Sequence, residues 1–114
     1  FPEARLIKAG ETDSGKPLHL FIINQDQYFE PGSPKPVLLI NNGIHPGESA
    51  GVDASIEFVT DLLHHPENYS RILDELILCI IPVHNVGGAL NRSPYHRTNQ
   101  NGPQEQGFRT VPVL

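Results

Sequence analysis

Two apolar runs, Val37–Asn41 and Glu75–Val83, bracket a segment whose apolar residues recur at helical rather than strand spacing. VLLIN and ELILCIIPV place apolar side chains on successive positions, the pattern of strands covered on both faces. Between them Val52, Ile56, Val59 and Leu63 form one stripe, with Asp53, Glu57 and Asp61 on other faces. Ser49 stands where an N-cap belongs, and Pro66 predicts a stop around His64–His65. Strand, helix of about 15 residues and strand make a βαβ unit, whose crossover implies parallel strands. The expected fold class is α/β, with a mixed, mostly parallel sheet.

The flanks fill in the rest. Arg5–Lys8 and Leu18–Asn24 read as a strand pair, with GETDSGKP between them supplying turn chemistry. In EPGSPKP, residues 30–36, three prolines and a glycine exclude both helix and central strand. PENYSRILDE has room for a short helical turn. Beyond Asn85 the chain turns polar, with many turn formers and little periodicity, and a loop of that length is expected to be functional or unfinished structure. At 114 residues the chain is one domain or a piece of one, and it does not begin with Met.

Charge narrows the function classes. A net charge of −5 argues against a nucleic-acid partner. The balance is uneven: residues 1–83 set five basic residues against twelve acids, whereas residues 84–114 set Arg92, Arg97 and Arg109 against Glu105 alone. Such an end suits an anionic substrate group, although scattered solvated arginines have the same composition. No apolar run reaches the roughly 18 residues of a membrane span, and FPEARLIKAG is not patterned as a signal peptide. The single cysteine, Cys79, lies in LILCII and is expected to be a buried apolar residue with no internal disulfide. The compartment stays open, a secreted or periplasmic one included.

The chemistry concentrates at VLLINNGIHPGES, residues 37–49, where His45 and Glu48 stand three apart between a strand and a helix. The spacing alone decides nothing, because His64 and Glu67 in HHPE share it. That second pair sits at a helix C-terminus with Pro66 inside it, where the histidines favour the dipole's negative end. The first pair follows the carboxyl end of a parallel strand, where open α/β sheets place their ligands. Imidazole nitrogen and carboxylate oxygen are both good zinc ligands, but a polar loop with a carboxylate at a helix N-terminus fits the same residues. The sequence has no Walker loop and no G-x-G-x-x-G after a strand.

Taken in order, three segments resemble the zinc carboxypeptidase (metallocarboxypeptidase) family. NNGIHPGES resembles its strand-to-loop segment, IIPVHNVGG the later strand ending in an Asn-Pro-Asp-Gly-like turn, and NRSPYHRTNQNGP the arginine-bearing loop beyond. The resemblance covers roughly residues 37–109. It implies a partial zinc-carboxypeptidase-like fold, with residues 1–114 a single domain forming the N-terminal part of a peptidase catalytic domain. It further implies that His45 and Glu48 are the first two ligands of one zinc ion. Arg97 would polarise the scissile carbonyl and steady the oxyanion, with nearby Arg92 the competitor for that role, and both are substrate-binding candidates. Asn85 matches the structural Asn of the turn. The substrate class would be a peptide cut at its C-terminal residue, or a small amide.

Gly87-Gly88 replaces the family's Pro-Asp-Gly ending with a shorter match, and the family's third zinc ligand and general-base Glu lie downstream of the matched segments. His84 and His96 are the histidines nearby, but neither occupies the third-ligand position. Two ligands hold zinc weakly, so the 114 residues alone are expected to be inactive, and their uncovered sheet edges to favour self-association. Two alternatives stand beside the peptidase: an amidohydrolase or deacylase of the same fold acting on small N-acyl amino acids, and a binding module that has lost the metal.

Overall fold

A computed structural model describes residues 1–91 in full and the backbone of residues 97–101 and 108–109. Strands β1 (Ala4–Glu11) and β2 (Pro17–Ile23) form an antiparallel hairpin. Its turn is closed by Thr12 N donating to the Lys16 carbonyl at 2.8 Å, with Gly15 in the left-handed region at φ 69°. Strand β3 (Val37–Asn41) leads into helix α1 (Ala50–His64), and a 3₁₀ turn (Pro66–Tyr69) joins α1 to helix α2 (Ser70–Glu75). Strand β4 (Ile77–Ile81) returns parallel to β3 and enters the sheet between β2 and β3, giving the order β1-β2-β4-β3. The predicted βαβ crossover is therefore present. The sheet is mixed: among the described strands its parallel pair is β3/β4, and β1/β2 and β2/β4 are antiparallel. A short helix α3 (Val86–Leu90) follows, and β5 (Arg97–Asn101) and β6 (Phe108–Arg109) form a separate parallel pair.

The core lies where α1 and α2 cover one face of the sheet. Ile23 of β2, Leu78 of β4, Leu62 of α1 and Leu73 of α2 form its buried centre, ringed by Phe58, Val59, Leu63 and Tyr69. Burying a side chain of this size contributes roughly 1.5–3 kcal/mol. β4, flanked on both sides, is the most buried strand, with Ile77, Leu78 and Ile80 all inside.

Three expectations are corrected. β3 is not covered on both faces: it is the outer strand of the described sheet, and Val37 and Leu39 are 60% and 55% exposed. Its apolar run reports side-chain type, whereas burial depends on what lies beside and above the strand. In α1 the buried line runs through Ser55 and Leu62, one position away from Ile56, which is exposed and borders an open groove with Leu6, Phe21 and Ile80. Cys79 is half-buried, because its neighbour across the parallel pair is the exposed Leu39. Burial still pushes its thiol pKa up.

Candidate metal centre

The site is built on a backbone zipper that outlasts the strands. Past the end of β3, Asn42 N donates to the Ile81 carbonyl at 3.0 Å. His84 N then donates to the Asn42 carbonyl at 2.8 Å, and Asn85 N to the Gly43 carbonyl at 2.9 Å. Two segments that have ceased to be strands thus stay in register, and the residues after Gly43 are presented at the carboxyl end of the parallel pair. Gly43 takes φ 58°, a left-handed value that bends the chain away from the sheet, close to Val83 and Val52. Gly47, at φ 80°, makes the second bend within His-Pro-Gly-Glu.

These bends bring the predicted pair together. His45 Nδ1 lies 3.2 Å from Glu48 Oε1 and 3.3 Å from Oε2. Both side chains are half exposed, at 53% and 42%, and reachable from solvent. Donor atoms bound at about 2.0–2.2 Å to a tetrahedral ion stand about 3.4 Å apart. The spacing therefore suits one ion held between imidazole and carboxylate as well as it suits a hydrogen bond between them. The donor chemistry fits zinc, and the two residues supply part of a set: among the described residues no three His, Cys, Asp or Glu side chains gather. His84 does not join the pair; its Nδ1 lies 3.0 Å from Asn41 Oδ1. Ser49 occupies the N-cap position of α1 with no side-chain capping bond, so the expected Ser cap is positional only.

The competing pair separates as expected. His64 Nδ1 donates to the Thr60 carbonyl at 2.7 Å, within the last turn of α1, and Glu67 lies nearer His65, at 3.7 Å. Arg97 opens β5, while Arg92 and His96 lie outside the described residues.

One supporting residue had a signal in the sequence that periodicity did not expose. Asn85 is the N-cap of α3, its side-chain oxygen accepting from Gly88 N at 2.8 Å. Asn is a favoured N-cap, but Gly87 and Gly88 are such poor helix formers that no helix was expected after it. This agrees with the structural role implied for Asn85.

Residues 1–108 match the zinc carboxypeptidase family, and the chain belongs to that family. The fold is shared with solved carboxypeptidases. Bovine thrombin-activatable fibrinolysis inhibitor, in its complex with tick carboxypeptidase inhibitor, superposes with a TM-score of 0.60 at 23% identity over 76% of this chain. A metallo-carboxypeptidase from Burkholderia cenocepacia does so with a TM-score of 0.57 at 22% identity over 97% of this chain. The matched region is 26% of the length of each of those two chains. No curated protein matches the sequence. Among the described residues no helix is long and apolar enough to cross a membrane.

Proposed function

We propose that this chain contributes to a zinc-dependent hydrolase of the carboxypeptidase type, a metallopeptidase releasing C-terminal residues from peptides, with His45 and Glu48 as two of its zinc ligands. The observation that carries the reading is the 3.2 Å approach of His45 Nδ1 to Glu48 Oε1 at the mouth of β3 in a member of this family. Bound zinc would supply Lewis-acid polarisation of the substrate carbonyl and make water nucleophilic near neutral pH. His45 offers a neutral nitrogen and Glu48 a negative oxygen, so together they hold the ion while leaving its net charge positive. Arg97 would place a guanidinium by the carbonyl oxygen, where negative charge develops as the tetrahedral carbon forms. Arg92 would assist in gripping substrate, and the acid-poor stretch carrying both arginines would draw in the peptide's terminal carboxylate. The remaining ligand and the general base would come from elsewhere in the protein. A pair of donors alone binds zinc weakly, so the 114 residues by themselves should not turn over substrate.

The test compares zinc content and release of a C-terminal amino acid in the intact protein and its His45→Ala variant. Stoichiometric zinc and turnover in the first, with both lost in the second, is the expected result. Equal zinc in both would overturn the metal assignment. Zinc with hydrolysis of N-acyl amino acids but not of peptides would replace the peptidase by the deacylase.

A further inference from the structure

The loop that carries His45 and Glu48 is exposed except at one residue. Pro46 is buried, while His45, Gly47 and Glu48 on either side are exposed. What buries it includes α3. An ideal Cβ built on Gly88 would stand 2.5 Å from Pro46 Cγ and 2.8 Å from Asn85 Oδ1. Carbon atoms in contact sit at about 3.5–4.0 Å, so the pyrrolidine ring occupies the space that any side chain at 88 would need.

The two obstructing groups differ in how they can yield. Asn85 Oδ1 is the end of a side chain and can swing away, at the cost of the cap it gives Gly88 N. Pro46 has far less freedom: its ring is closed onto the backbone and its φ is fixed, so beyond a change of ring pucker it moves only with the chain. Moving the ring moves the peptide units of His45 and Gly47, and with them the donor pair. The zipper between Gly43 and Asn85 holds the two backbones at this separation, so α3 cannot simply back away.

We propose that Gly88 is a positioning residue for the candidate metal centre: its bare Cα seats Pro46 and so sets the His45–Glu48 approach. The proposal rests on the reading that this pair holds zinc. Gly87 supplies an internal control. An ideal Cβ there would stand 3.3 Å from Ser14 Cβ, in the β1–β2 turn and away from the His-Pro-Gly-Glu loop.

The experiment compares Gly88→Ala, Gly87→Ala and the double variant Gly88→Ala/Pro46→Ala in the intact protein. Pro46→Ala removes the ring carbon that Gly88→Ala would strike. Amide and imidazole NMR resonances of His45, Gly47 and Glu48 are read without metal, and zinc affinity by chelator competition. Gly88→Ala should shift those resonances and weaken zinc binding about 10- to 100-fold, the range for residues that orient metal ligands. Gly87→Ala should do neither, and the double variant should recover most of the loss. Unchanged resonances and affinity in Gly88→Ala, an equal effect from Gly87→Ala, or no recovery in the double variant would each overturn the proposal. Should Gly88→Ala fail to fold, a folded double variant supports the contact and an unfolded one overturns it. Wild-type protein that takes no zinc through His45 overturns the metal reading, while the metal-free resonances still decide whether Gly88 sets the loop.

Discussion

The Asn42 side-chain amide donates to the Ser55 hydroxyl at 2.6 Å, tying the mouth of β3 to the buried line of α1. Asn42 follows the last residue of β3, Ser55 is among the most buried residues of α1, and Gly51 packs so closely that a Cβ there would stand 2.7 Å from Asn42 Oδ1. Strand end and helix start thus move as one unit, and the His45 loop is strung between them.

Ser55→Ala should therefore destabilise the protein by about 1 kcal/mol, because it strips the partner from a half-buried amide. Asn42→Ala should cost a similar amount and leave Ser55 as the orphan. Urea titration followed by circular dichroism checks both, and a double variant costing far less than the sum would confirm that the two effects are one bond.

Tyr69 donates a hydrogen bond to the Asp61 carboxylate across the α1–3₁₀ junction. That bond, with burial and the carboxylate's negative charge adding to it, holds the phenol pKa above its ordinary 10.0. The unfolded chain therefore gives up this proton at lower pH than the folded one. The bond's contribution to stability should be fully present below pH 10.0 and decline as pH rises through the folded value. Ultraviolet titration of tyrosinate should show a late-ionising tyrosine that Asp61→Asn returns towards 10.0; a Tyr69 titrating alike in both proteins would contradict this.

The outer strand of the described sheet carries Val37 and Leu39 in solvent. An open edge with apolar side chains is a template for another strand. The 114-residue chain should associate with itself as its concentration rises, and Leu39→Lys should suppress this. Light scattering that shows a clean monomer at all concentrations would count against it.

The half-buried Cys79 thiol, pushed above its ordinary 9.0 by desolvation, should alkylate slowly at neutral pH. Its rate should climb with pH over a higher range than that of a free thiol, as mass spectrometry of iodoacetamide adducts would measure.

The strand, helix and strand of residues 37–81 were legible because their signals are local. Side-chain periodicity marked β3, α1 and β4, and Pro66 marked the end of α1 to within a residue. Burial was less legible, because it belongs to neighbours distant in sequence. The same apolar run reads alike in β4, flanked on both sides, and in β3, flanked on one among the described strands. His45 and Glu48 could be picked out by their place at a strand end, while their separation depends on the positive φ of Gly43 and Gly47. Helix α3 escaped because its stability comes from a cap and from the seat it makes for Pro46, and neither raises the helix propensity of Val-Gly-Gly-Ala-Leu.

The zipper beyond β3 has a temporal side. The β1–β2 hairpin closes over a short loop, but Asn42 and Gly43 find their partners only when the segment around Ile81–Asn85 arrives, and Asn41 and His84 are 43 positions apart. A growing chain that has reached only the end of α1 already carries both His45 and Glu48, yet it lacks the partners at Ile81, His84 and Asn85 that hold the loop's root to the sheet. Alignment of the donor pair thus waits on β4 and the residues that follow it, and not only on the segment that bears the donors.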